Sequence, residues 1–265
     1  MRQIEYHPLV VLEAPALRAF RSLPRPFTAR PVENWSALQG VLRDSGPSTV
    51  VVVDPYADDE TAPAHELAVV LDVFPSAAVV CAFDLTPARV GDVRQMLHGG
   101  ISGLVNLRVD TTPAIMAHHL REAAGRPFKR HLESITPPHL AADARHILTG
   151  ACHVAVTGGG VDELAALFGV NAKTLSLWCQ KFRLGSTRSL LVWIRLLLAS
   201  LLLEDQGRTI DSAARAAGYS SDRGLRRTFE QTLGTAPSSV RKDGALTQVS
   251  TAFRAWLGDV AAGSR

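Results

Sequence analysis

At 265 residues, with 46% hydrophobic and 20% charged residues, the chain has the make-up of two globular domains, each large enough to bury its own core. No apolar run reaches the roughly 18 residues that cross a bilayer: the longest candidate, SLLVWIRLLLASLLL, is broken by Arg195, and MRQIEYHPLVVLEAP lacks the features of a signal or transit peptide. A cytoplasmic protein without membrane contact is expected, and Cys81, Cys152 and Cys179, far apart and without a CxxC pair, suit reduced buried thiols better than disulfides or zinc.

In chain order, the first half alternates. The runs PLVVLEAP, STVVVVDPY, AAVVCAF and SGLVNL, with a weaker one in RPFTARPVE, read as five strands. Between them ALRAFRSL, NWSALQGVLRDSG, HELAVVLDVFP, PARVGDVRQMLHGG and TPAIMAHHLREAA read as five helices. Strand runs that are apolar throughout, not alternating, are covered on both faces, which predicts a doubly wound five-stranded parallel α/β sheet. The proline pair at Pro137 and Pro138 ends this pattern, placing the expected domains at 1–137 and 138–265. Beyond it everything reads as helix, over 140–153, 161–168, 172–182, 187–204, 210–217, 221–233 and 246–260. The last helix puts Leu246, Val249, Phe253, Trp256, Leu257 and Val260 on one face, which predicts packing against its own domain in preference to a dimer contact.

The net charge of +3 is unevenly divided: residues 1–137 carry 13 Lys and Arg against 15 Asp and Glu, residues 138–265 carry 15 against 10. The second half is the basic one, and it contains a repeat. In DELAALFGVNAKTLSLWCQKF and DSAARAAGYSSDRGLRRTFEQ, a small residue (Ala165, Ala214) stands four positions before a glycine (Gly169, Gly218), and a new amphipathic helix follows. The alanine lets two helices cross closely and the glycine takes positive φ at a tight turn, the requirements of a helix-turn-helix. Leu175, Leu225 and Phe229 are expected to pin each second helix into a core.

Two such units joined by TRSLLVWIRLLLASLLLED resemble the AraC family of transcription regulators over about residues 142–242. The carrying elements are the linker-helix stretch RLLLASLLL, with Arg195, Ala199, Leu201 and Leu202, the stretches AARAAGYSS and LRRTF, and the G-x-x-P-x-x-x-R ending at Gly234, Pro237 and Arg241. In the first unit Leu177 and Trp178 stand where the family often has polar or basic residues. The resemblance implies double-stranded DNA as partner, each second helix entering a major groove. The expected DNA-facing residues are Asn171, Lys173, Ser176 and Gln180 in the first unit, and Ser221, Asp222, Arg223, Arg226 and Arg227 in the second. Asn171 is equally a helix cap, Asp222 a cap, Arg227 a phosphate contact, and Arg226 with Glu230 a surface ion pair.

The α/β half, with Asp54 ending its third strand, resembles response-regulator receiver domains. A working receiver needs an acidic pair after the first strand, a hydroxyl after the fourth and a lysine after the fifth. Here Glu13 is followed by Ala14 and Pro15, the fourth strand ends in Cys81 and Ala82, and Asn106 and Leu107 stand at the lysine position. The expectation is a pseudo-receiver that serves dimerisation or senses something other than phosphate, Asp54 being a strand-end cap or a leftover. TGGGVDEL lacks the Gly-Lys-Ser/Thr of a phosphate loop and reads as a flexible joint, and the adjacent His118 and His119 make a poor metal pair. No cofactor, metal or catalytic set is expected. The leading reading is a homodimeric, sequence-specific DNA-binding regulator; the alternatives are a co-regulator or scaffold that has lost DNA binding, and a small α/β enzyme with its site near Glu13 and Asp54.

Overall fold

The computed structural model describes residues 7–238 and 244–262. The chain divides into two units, residues 1–127 and 128–265. In the first, β1 (His7–Leu12), β2 (Phe27–Val32), β3 (Val50–Val53), β4 (Ala78–Phe83) and β5 (Gly103–Asn106) form one parallel sheet of order β2-β1-β3-β4-β5. The helices are α1 (Arg18–Arg21), α2 (Trp35–Leu42), α3 (His65–Val73), α4 (Val90–Gly99) and α5 (Pro113–Ala123).

Successive strand residues point to opposite faces, and here they feed two separate cores. Leu9, Val11, Val50, Val52 and Val80 pack with Phe20 of α1 and Leu120 of α5. Val10, Leu12, Val51, Val53 and Val79 pack with Leu38 of α2, Val70 of α3 and Met96 of α4. Burial on both faces is why β3 and β4 are apolar without alternation. The weaker β2 run is explained by its place at the sheet edge, where Pro31 is tolerated because, among the described residues, no further strand needs the N–H that proline lacks. The first predicted helix shrinks to a single turn, α1, preceded by a 3-10 turn at Pro15–Leu17 and followed by Pro24 and Pro26, which cannot continue a helix.

The second unit is helical: α6 (Arg126–Ile135), α7 (Ala142–Val156), α8 (Val161–Leu167), α9 (Ala172–Lys181), α10 (Thr187–Glu204), α11 (Ile210–Ala216), α12 (Asp222–Leu233) and α13 (Ala245–Ala262). The division falls inside α6 and not at Pro137–Pro138, because Phe128, Leu132 and Ile135 are buried in the helical core together with α7 and α10. Helix α10 is the axle: it is buried on almost every side and packs against α7, α8, α9, α11, α12 and α13. Helix α13 buries Val249, Phe253, Trp256 and Leu257 in this core, with Trp256 ring centroids 5.8 Å from Phe253 and 5.7 Å from Trp193 of α10. Its apolar face thus packs within its own unit. Among the described residues no helix is long and apolar enough to cross a membrane.

Candidate nucleic-acid interface

Helices α8 and α9 form one helix-turn-helix, α11 and α12 the other, and their turns close by the same hydrogen bonds. In the first, Val170 N–H donates to Ala165 O at 3.0 Å around Gly169 at φ 66°; in the second, Tyr219 N–H donates to Ala214 O at 2.9 Å around Gly218 at φ 82°. Positive φ is the conformation that glycine adopts without a Cβ penalty, so the repeated glycine is what stops the first helix of each unit. Ala165 and Ala214 are buried, as are Leu175, Leu225 and Phe229. The repeats differ in one respect: residues 168–171 connect α8 to α9, whereas residues 217–221 connect α11 to α12, one residue more. Counted from the buried Leu175 and Leu225, Lys173 corresponds to Arg223, Ser176 to Arg226 and Leu177 to Arg227.

Each second helix starts on a side-chain cap. Asn171 Oδ1 accepts Thr174 N–H at 2.9 Å, and Ser221 Oγ accepts Gly224 N–H at 3.3 Å. Ser221, and not Asp222, therefore caps α12. Asp222 sits in the first turn and pairs with Arg226, Oδ2 to Nε, at 3.2 Å, so the partner of Arg226 differs from the expected Glu230. The acid lies N-terminal to the base and near the positive end of the helix dipole, the favoured order for a pair four residues apart. Arg223 and Arg227 are exposed, Arg226 and Asp222 half-exposed. On α9, Asn171, Lys173, Leu177 and Gln180 are exposed, Ser176 is half-buried, and Trp178 turns inward to meet Phe168 edge-on at 6.4 Å between ring centroids.

Sequence reasoning missed the placing of Arg195 between the two helix-turn-helix units. Arg195 of α10 donates from Nη2 to Gly159 O at 2.7 Å, while a Cβ built on Gly218 would meet its Nε at 3.6 Å, so this one side chain lies beside both units. The glycine-rich TGGG stretch is accordingly a pinned entry to α8: Gly160 N–H also donates to the Glu163 carboxylate at 2.8 Å, which holds that carboxyl below its usual range. A second unforeseen anchor is the buried Arg208–Asp205 pair, Nε to Oδ2 at 2.9 Å, between α10 and α11. In the G-x-x-P-x-x-x-R ending, Gly234 at φ 71° ends α12 and Pro237 is buried; Arg241 lies outside the described residues.

In the α/β half, residues 1–127, Glu13 and Asp54 follow β1 and β3, the strands flanking the point where the strand order reverses. Asp54 Oδ1 accepts Tyr56 N–H at 2.9 Å, and burial raises its carboxyl above the usual range. Tyr56 donates its hydroxyl to Asp92 Oδ2 at 2.7 Å, and the Arg89 guanidinium lies 3.8 Å over its ring. Arg89 also donates to Asp84 O at 3.1 Å and Glu60 O at 3.0 Å. Glu13 pairs with Arg21 at 3.3 Å, and Asn106 Oδ1 accepts Leu85 N–H at 3.2 Å. His119 faces Asp110 at 3.5 Å, apart from the exposed His118. Burial pushes the thiols of Cys81, Cys152 and Cys179 upward, Cys152 to about 12, away from the thiolate that nucleophilic chemistry needs. Among the described residues no group of three or more His, Cys, Asp or Glu side chains stands ready to hold a metal ion.

A family model described as a helix-turn-helix domain matches residues 164–243, which take in the α8–α9 turn and all of α10, α11 and α12. The structure of the xylose-binding transcription activator XylR is similar at 16% identity and a TM-score of 0.36, over 90% of this chain and 70% of that one. Comparison with curated proteins gives no match.

Proposed function

We propose, from the premise that residues 164–243 form an AraC-type helix-turn-helix domain, that the chain is a sequence-specific transcription regulator binding double-stranded DNA through α9 and α12. The observation that carries this reading is the doubled turn: the same hydrogen bond and the same positive-φ glycine present two second helices, each capped at its N-terminus and each turning polar or basic side chains to solvent. A major groove about 12 Å wide accepts one such helix, read by its exposed N-terminal positions. On α12, Arg223 and Arg226 read bases, with Asp222 orienting the Arg226 guanidinium, and Arg227 meets phosphate. On α9, Lys173, Ser176 and Gln180 face the groove, while Asn171 and Ser221 serve first as caps.

The α/β half, residues 1–127, is read as a pseudo-receiver that supports dimerisation or senses a signal other than phosphate, within the cytoplasm. What supports this is the occupation of its strand ends: Asp54 is engaged by Tyr56 N–H, Glu13 by Arg21, and Arg89 stacks on Tyr56. No reaction is assigned to the chain. Selection of bound duplexes from a random pool by the full chain, followed by anisotropy titration at several salt concentrations, tests the DNA reading. A two-fold symmetric enriched site is expected from a dimer. Equal affinity for enriched and random duplexes would overturn sequence-specific binding. Treatment with a small phosphoryl donor is expected to leave the mass unchanged; one phosphoryl group on Asp54 would overturn the pseudo-receiver.

A further inference from the structure

We infer that Leu177 reads the C5 methyl group of a thymine in the major-groove segment entered by α9; this rests on the DNA-binding reading and adds a base to it. Leu177 is 56% exposed in the middle of α9, one turn after the exposed Lys173 and one before the exposed Gln180. A lone exposed leucine on a protein surface needs no explanation. This one occupies the outward stripe of the second helix of a helix-turn-helix, at the position where the other unit carries Arg227, a side chain long enough to pass the base edges and meet phosphate where a leucine stops short of it.

The stripe Lys173–Leu177–Gln180 offers a cation, an apolar group and an amide in succession. That order argues against a protein partner at this spot, because a docking face presents contiguous apolar area at its core, not one leucine between two polar side chains. It matches the edge chemistry of the major groove, where hydrogen-bonding atoms are interrupted by a single kind of apolar group, the thymine methyl. Set against adenine, guanine or cytosine, Leu177 would cover polar edge atoms without replacing their hydrogen bonds to water, which is unfavourable. Against thymine it covers a methyl. The neighbouring Trp178 does not compete for the groove, since it is half-buried against Phe168.

The test compares duplexes selected from a random pool by the full wild-type chain and by Leu177→Ala. One thymine position is expected in the wild-type site whose preference disappears in the variant's pool. Replacing that thymine by deoxyuridine removes only the methyl and is expected to weaken wild-type binding about fourfold, the factor for one buried methyl-sized group. Leu177→Ala should bind the thymine and uracil duplexes equally, while Leu177→Met should keep the discrimination. Because the side chain is exposed, the thermal melts of both variants should overlay the wild type. Wild-type binding indifferent to every thymine-to-uracil exchange, or a response that persists unchanged in Leu177→Ala, overturns the inference while leaving DNA binding intact. Failure to enrich any duplex overturns the DNA-binding reading, and the inference with it.

Discussion

The two helix-turn-helix units close their turns with hydrogen bonds of 3.0 and 2.9 Å onto a buried alanine, yet α9 turns Lys173, Leu177 and Gln180 outward where α12 turns Arg223, Arg227 and Glu230. Scaffold and outward chemistry separate because they use different sides of the same helix: Leu175 and Cys179 face inward on α9, Leu225 and Phe229 on α12. The inward side is constrained by packing against α10, whereas the outward side is constrained only by what it meets. The units also differ in how they are fastened, the first by Arg195 on a neutral carbonyl, the second by a buried ion pair.

The sharpest test of that difference in fastening is Arg208→Met, expected to cost about 3 to 5 kcal/mol in urea unfolding because it strands the buried Asp205 carboxylate. Arg195→Met removes a charged donor from a carbonyl and should cost less, about 1.5 to 3 kcal/mol; equal losses would erase the distinction. For outward chemistry, Arg223→Ala is expected to weaken DNA binding by about 1 to 3 kcal/mol and relax base preference at one position. Arg227→Ala should weaken all sequences alike and lower the salt slope by about one. Anisotropy on enriched and scrambled duplexes separates the two patterns. Where the units are alike, Gly169→Ala and Gly218→Ala should each cost about 1 to 2 kcal/mol of stability, since both glycines sit at positive φ. A large gap between them would break the equivalence of the turns. The smallest effects are expected from the caps: about 1 kcal/mol for Asn171→Ala, and somewhat less for Ser221→Ala, whose hydrogen bond is longer, 3.3 against 2.9 Å.

Much of this architecture is legible in the residues themselves. Runs such as Val50–Val53 announce strands buried on both faces, and Ala165 with Gly169, then Ala214 with Gly218, announce the two turns. Other features depend on contacts that no local pattern encodes. The domain division escapes because PFKRHLESI has an apolar row, Phe128, Leu132 and Ile135, that is periodic whichever core receives it. Arg226 has an acid four residues away on either side, and only the helix-dipole argument separates Asp222 from Glu230. The grip of Arg195 on Gly159 spans 36 residues of chain, and the cover over the Tyr56 ring depends on Arg89 arriving from the segment after β4.

Because α10 joins both units and carries the arginine that lies beside them both, it acts as a ruler with a fixed graduation. Adding or deleting one residue in an α-helix swings everything beyond it by about 100° and slides it by about 1.5 Å. A single-residue indel in α10 would therefore turn the arginines of α12 away from the direction in which α9 faces.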